Sequence, residues 1–531
     1  MPTSRRRAVA ALAIALVIAL SVSSCSQVGG TPTAGDPVAV SRSTSPASAA
    51  PSSTAPGITV PSASATAGGS ASTPGTPDTA DGTVGSDGIG DPYYPTAGNG
   101  GYQVDHYDVN LTYDPASNAL SATTTITGSV TSAPGLSRFN LDLQPNLTVS
   151  AVSVNDAAAT FDQQDAELVI TPATALPPAA PLTVTVTYAG SPELVGGGTA
   201  GLGDGGWFRT PDGGAFAAGE PTGPSTWFPV NEHPLDTATF SVTATVPDGW
   251  QVISNGVRPA DQPTAPAGWT ASRWVLDTPV ASYLSTIYID KFTFVEGTLS
   301  DGRPIVSAVG PGAPASATDL AQQTAPVIDV LSELFGPYPM PAAGGIFIKS
   351  TTGFALETAT RPVYTTGIDS LPVVVHELAH QWYGDDVTIA SWADICLNEC
   401  FASYAEWLYA EKVDGQNLDG RWKQTIRNSG QQPGYWSSPL VDMGPGNEFT
   451  RVYDRGPIAL HALRHEMGDD AFFTLLKQWP ATYGGTNASF TDFEAFVNQL
   501  TGRDLTAFMD AWFRSETQPP AQYLYPGGLG N

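Results

Sequence analysis

Basic side chains are scarce in this 531-residue chain: 22 Lys and Arg stand against 50 Asp and Glu, for a formal net charge of −28. A surface this acidic repels phosphate backbones and anionic headgroups, so nucleic acid is not an expected partner. The acidic excess reads as a solubility device. After the N-terminus no segment is apolar for long enough to cross a bilayer. No internal repeat of fixed period is evident, which argues against a solenoid or propeller. Residues 26–92 contain no Phe, Trp or Tyr and are dominated by Ser, Thr, Pro, Ala and Gly. Such a stretch cannot bury enough apolar surface to offset its ordering entropy. The length leaves room for two or three domains with sizeable cores.

What is present begins with an export signal. Arg5, Arg6 and Arg7 form a basic region, and Ala8 to Leu20 form an apolar core too short for a spanning helix. The sequence Val22-Ser23-Ser24-Cys25 resembles a bacterial lipobox, which implies cleavage before Cys25 and a lipid on its thiol. Ordinary secretion is the alternative. Residues 1–24 are thus expected to be a signal peptide, and 25–92 a lipidated, disordered tether. As a flexible coil the tether would span roughly 45 Å. The protein is expected outside the cytoplasmic membrane, anchored only through Cys25 or else secreted.

From Tyr102 to about Val295 short alternating runs, such as Leu182-Thr183-Val184-Thr185-Val186, are separated by Pro, Gly, Asn and Asp turns. That pattern predicts antiparallel β-structure. From about residue 316 the period lengthens. Ala317 to Phe335 reads as one amphipathic helix, Gly345 to Ile348 as a strand, and most of the rest as helices. The expected fold is multidomain α+β: an N-terminal antiparallel β domain over 93–300, then a mainly helical catalytic domain with a small sheet over 301–531.

The chemistry concentrates in His376-Glu377-Leu378-Ala379-His380, followed after eighteen residues by Glu399. Histidines at i and i+4 share one helix face and can reach one ion. A third ligand from a following helix completes a three-protein-ligand zinc site with one open position. Glu377 sits where a general base belongs. Ser370 as cap, Pro372 in the first turn and apolar Val373 to Val375 give the motif a helical setting.

These features together resemble the aminopeptidase N family of gluzincin zinc metallopeptidases, over roughly residues 100–520. The gap to Glu399 is part of the likeness, since thermolysin-like enzymes place their glutamate one residue further on. His376 to Gly384 resembles the family's zinc helix, and Asp394 to Glu399 its second ligand segment. The resemblance implies a thermolysin-like catalytic domain with one zinc ion per chain, held by His376, His380 and Glu399, and Glu377 as general base. Arg451-Val452-Tyr453-Asp454-Arg455-Gly456 resembles the family's Tyr-Glu-Lys-Gly segment, which makes Tyr453 the oxyanion donor. Asp454 and Arg455 keep the charges of that segment but not its residues. Gly353-Phe354-Ala355-Leu356-Glu357-Thr358 occupies the place of the Gly-Ala-Met-Glu-Asn motif, departing at Leu356 and Thr358. Glu357, with Glu220 fourteen residues before Pro234, would then hold a substrate's free α-amine. The residues before Glu357 could offer an edge strand to a peptide.

Other residues carry less. His461 and His465 repeat the i, i+4 spacing, but no third ligand is obvious, and they read as structural or surface residues, as do His106 and His233. Cys396 and Cys400 stand where the family has Trp and Gly. Paired replacement in an exported chain favours a disulfide, although a regular helix holds such Cβ atoms about 6 Å apart. Two thiols or a soft metal site are the alternatives. Glu406, on the face of Glu399, is either a hydrogen-bond partner of a zinc histidine or an ordinary solvent-facing acid. Larger relatives carry a further C-terminal helical domain, for which no length remains after Phe513, so a more open cleft, or one closed by another subunit, is expected. The function expected is removal of N-terminal residues from peptides by a zinc aminopeptidase. Rival readings are an endopeptidase or other hydrolase with the same metal site, and an inactive surface-binding lipoprotein.

Overall fold

In the computed structural model residues 82–197 and 203–530 are described. The N-terminal half is built on alternation. Leu182, Val184, Val186 and Tyr188 are buried while the intervening threonines are half exposed, so the strand Pro181–Gly190 has one core face and one wet face. It lies in a seven-stranded sheet whose spatial order is Trp269–Ala281, Thr237–Pro247, Tyr102–Asp114, Ala119–Val130, Pro181–Gly190, Leu147–Val154 and Ala157–Ala158. The last two are joined by a two-residue loop, with Val154 opposite Ala157. Asn155 and Asp156 there have φ of 49° and 65°. Paired positive φ values fit a type I′ hairpin turn, which these two residue types tolerate.

The ordered chain starts earlier than composition suggests. Order was expected near Tyr93, yet Thr83–Val84 pairs in parallel with Leu136–Asp142. Asp91 is buried and accepts hydrogen bonds from the backbone amides of Tyr93, Tyr94 and Trp392. Polar hydrogen bonding, rather than apolar burial, fixes this segment. Residues 82–92, expected to belong to the tether over 25–92, are therefore part of the folded chain. Residues 1–81, including the signal peptide and Cys25, lie outside the described residues.

A boundary at 300 is also corrected. Strands Thr293–Thr298 and Pro304–Val309 form one hairpin, with Thr298 opposite Pro304. They belong to a five-stranded sheet continuing through Ile346–Ile348 and Val363–Thr365 to Ala355–Leu356 at its edge. The change of sequence period marks where helices begin, not where sheets end. Beneath and after this sheet come α1 (Ala317–Ala321), α2 (Thr324–Phe335), α3 (Leu371–Ala379), α4 (Cys396–Asp414), α5 (Leu418–Ser429), α6 (Arg455–Met467), α7 (Asp469–Tyr483) and α8 (Phe490–Thr501). The single helix expected over 317–335 is broken between α1 and α2. Pro326 explains the break: its ring would meet the carbonyl of Gln322 four residues back. The chain answers with a tighter bond from the Gln323 amide to the Leu320 carbonyl. α8 is capped by Ser489 and Asp492 in a reciprocal box and closed by Gly502. No helix among the described residues is long and apolar enough to cross a membrane.

Candidate metal centre and active site

α3 begins as expected after Ser370 with Pro372 in its first turn, although the Ser370 side chain makes no capping bond. It presents His376 and His380 toward α4, which presents Glu399. Oε2 of Glu399 lies 3.1 Å from Nε2 of His376 and 3.6 Å from Nε2 of His380. All three side chains are buried. Their outward nitrogens are fixed as well. Nδ1 of His376 lies 3.1 Å from Oε1 of Glu406, and Nδ1 of His380 lies 3.0 Å from the carbonyl oxygen of Tyr383.

A carbonyl can only accept, so Nδ1 of His380 carries the proton and, in the neutral ring, Nε2 presents a lone pair. That lone pair faces a carboxylate oxygen, an arrangement relieved by a cation between them or by a second proton on the ring. The donor set thus fits a divalent metal, with imidazole and carboxylate donors of the kind zinc takes. The turn that brings the Tyr383 carbonyl to His380 depends on Gly384. Its φ is 134°, and a Cβ there would meet Asn398 and the His380 ring at 3.3–3.4 Å.

Cys396 and Cys400 form a disulfide across the first turn of α4, with Cα atoms 4.8 Å apart. The helix starts only at Cys396, so the first turn is tightened and the spacing of a regular helix does not apply. α6 packs directly on this turn. A Cβ on Gly456 would meet Sγ of Cys400 at 2.6 Å and its Cα at 3.0 Å, so only glycine permits the approach. That contact sets Tyr453, just ahead of α6, beside the metal ligands, with its ring centroid 5.9 Å from that of His376. Tyr453 remains 43 % exposed. Desolvation at its hydroxyl, then the charges of Glu399, Glu220, Glu377 and Glu357, keep it protonated well above the ordinary phenol range.

Around the two histidines stands an excess of buried acid. Burial pushes the Glu377 carboxyl up to about 8; His376 and His380 pull against it, and Glu357 and Glu399 add to it. Glu357 follows the edge strand Ala355–Leu356, and Tyr283 donates its hydroxyl to Oε1 at 3.0 Å. Its carboxyl is raised by burial, eased by His380 and raised again by Glu399. Glu220 is 3 % exposed, and its Oε1 has no partner. Burial, then Glu357, Glu399, Glu377 and Asp385, drive its carboxyl well up. None of the principal charges acting on Glu220, Glu357 or Glu377 is a lysine or arginine. The positive charge that acts on Glu357 and Glu377 comes from the site's own histidines.

A sequence profile described as "Peptidase family M1 domain" matches residues 344–512. The M1 zinc metallopeptidase of Deinococcus radiodurans superimposes with a TM-score of 0.74 at 31 % identity, covering 82 % of this chain and 99 % of that one. The chain belongs to the M1 family of zinc metallopeptidases. Among curated M1 relatives, human glutamyl aminopeptidase is 27 % identical over 325 residues, or 56 % of this chain and 34 % of that protein. Aminopeptidase N of Streptomyces lividans is 25 % identical over 316 residues, or 54 % of this chain and 36 % of that protein. The chain spans about a third of the length of these curated relatives.

The M1 site gathers every candidate named from sequence within the described residues: His376, His380, Glu399, Glu377, Tyr453, Glu220 and Glu357. Three further residues were not anticipated. Tyr283, from the β half, carries no local signal pairing it with Glu357. Gln381 spans the cleft floor, donating to Oδ2 of Asp385 at 2.6 Å and to the Glu357 carbonyl at 3.0 Å. Asp385 is fully buried with Oδ1 unpartnered. Its i, i+4 relation to Gln381 at the end of the zinc-helix tract was the available clue. Thr358, a departure from the M1 pattern, turns inward: its hydroxyl lies 2.6 Å from that of Tyr288 and donates to the Arg361 carbonyl.

Proposed function

We propose that this chain is a zinc aminopeptidase that removes N-terminal residues from peptides outside the cytoplasmic membrane. The observation that carries the reading is the buried, cation-poor pair Glu220 and Glu357, with Oε1 of Glu220 unpartnered. A buried carboxylate without a counter-ion is costly. A substrate's α-ammonium, placed between the two, relieves that cost and sets the first peptide bond beside the metal ligands. An internal peptide bond brings no such charge.

His376, His380 and Glu399 hold the zinc, which when bound supplies Lewis-acid polarisation of the scissile carbonyl. Glu377 takes the proton of the attacking water and passes it to the departing amine. Tyr453 donates its hydroxyl to the carbonyl oxygen as negative charge develops there, and it does so from a protonated state. The unpaired side of the strand Ala355–Leu356 offers main-chain groups to the peptide. Solved forms of an M1 relative bound to L-arginine and to L-tryptophan, and the Deinococcus enzyme's mutant bound to a Tyr-Ser-Ala substrate, support a site that takes single residues and free N-termini.

The export signal and Cys25 support attachment to the outer face of the membrane through one lipid, with the Ser/Thr/Pro-rich segment as tether. A panel of aminoacyl reporter substrates with and without chelator tests the catalytic reading. Hydrolysis abolished by chelator and restored by zinc is expected; chelator-insensitive hydrolysis would remove it.

A further inference from the structure

Some helices away from the cleft repeat the geometry of the zinc triad. α6 carries His461 and His465, an i, i+4 pair whose ring centroids lie 4.9 Å apart at 68°. The catalytic pair, His376 and His380, lie 4.8 Å apart at 70°. A carboxylate from a separate helix again closes the triangle. Oδ1 of Asp419, at the start of α5, lies 3.1 Å from Nε2 of His461 and 3.0 Å from Nε2 of His465. All three ligand atoms fall within 4.8 Å of one another. Tetrahedral ligands about 2.0–2.1 Å from a zinc ion stand roughly 3.3 Å apart, and in both triads the two edges from the carboxylate to the histidines are near that length. The rear of His461 is held too: the Tyr404 hydroxyl lies 2.8 Å from its Nδ1, in the place that Glu406 takes behind His376. The reading of these histidines as lacking a third ligand is thereby corrected.

We propose that Asp419, His461 and His465 form a second binding site, for a borderline-soft divalent transition ion such as zinc. Two imidazoles and one carboxylate select such an ion over magnesium or calcium, which take oxygen ligands. Its role is structural. The ion clamps the start of α5 to the later turns of α6, while Trp422 of α5 donates to the Ile458 carbonyl in the first turn of α6. α6 in turn carries Tyr453 at its entrance, and α4 contributes both Tyr404 and the catalytic ligand Glu399. One side of the site stays open, since the Asp419 side chain is 47 % exposed. Water or a further ligand completes the shell.

The test is metal stoichiometry on the full chain. Protein stripped by chelator is dialysed against micromolar zinc and assayed by mass spectrometry of the metal, with melting temperature as a check on folding. Wild type is expected to hold two equivalents, Asp419→Ala and His465→Ala one each, and Glu399→Gln one. In the Glu399→Gln background zinc is expected to raise the melting temperature, and Asp419→Ala is expected to abolish that rise. The loss of affinity at this site should exceed the roughly 10–100-fold that follows loss of a ligand's hydrogen-bond partner. His461 is buried against Tyr404, so its variants are left out. One equivalent in wild type at every zinc concentration would show a hydrogen-bonded clasp only and overturn the proposal. Two equivalents retained in both Asp419→Ala and His465→Ala would overturn it as well.

Discussion

Oε1 of Glu406 lies 3.1 Å from Nδ1 of His376, and this pairing turns the opposite nitrogen of the ring toward Glu399. Of the two sequence readings for Glu406, a partner of a zinc histidine or a solvent-facing acid, the structure selects the first. Glu406→Gln keeps an acceptor but loses the charge, and Glu406→Ala loses both. Zinc affinity, measured by competition with a chromophoric chelator, is expected to fall about 10–100-fold in the alanine variant and less in glutamine. Equal affinity in all three proteins would show that the pairing does not orient the ligand.

Glu377→Gln removes the proton acceptor and keeps the volume. The proposed mechanism expects kcat to drop by about 10²–10⁴ while one catalytic zinc is retained. Loss of zinc together with activity would instead make Glu377 a structural residue.

Tyr453→Phe removes one hydroxyl at a site whose ring stays packed near His376. A donor used only as negative charge develops on the carbonyl should cost about 10²–10³ in kcat, with little change in KM. A rise in KM at constant kcat would place Tyr453 in ground-state binding.

Asp91 joins the two halves of the molecule. Beyond the three backbone amides it accepts from Oγ of Ser391 at 3.1 Å, and its Oδ2 lies 3.2 Å from Nε2 of His233. Asp91→Ala leaves several buried donors without an acceptor and is expected to destabilise the fold by about 3 kcal/mol in denaturant unfolding. Burial raises its pKa, but the bonds from His233, Trp392, Tyr93 and Tyr94 outweigh that and hold it at about 2. A depressed folded-state value means the contribution is complete above the ordinary pKa near 3.8 and is lost as pH falls toward 2. The difference between wild type and Asp91→Ala should therefore narrow across that acid window and stay constant above it. A difference unchanged from pH 5 to 2.5 would contradict this account.

The metal triad was legible because its ligands follow fixed spacings on helices, where i, i+4 and a set gap translate directly into geometry. Tyr453 and Glu357 were legible from short ordered motifs, and Glu220 from a distance along the chain to Pro234. Asp419 was not, because 42 and 46 residues separate it from His461 and His465 and only the packing of α5 on α6 brings them together. Tyr283 and Asp91 are hidden for the same reason: each acts through a partner from the other half of the molecule. The α1–α2 break was written in the sequence at Pro326, but the apolar period across 317–335 concealed it. The disulfide depended on where α4 begins, a matter of one residue that spacing cannot supply.

Selection of a free N-terminus by Glu220 and Glu357 is what separates the proposed exopeptidase from an endopeptidase. The most direct measurement is kcat/KM for a peptide with a free α-amine against the same peptide N-acetylated, in wild type and in Glu357→Gln. A preference for the free amine of at least about 10²-fold is expected in wild type, sharply reduced in the variant. Equal cleavage of the two peptides by wild type, or faster cleavage of the acetylated one, would contradict it.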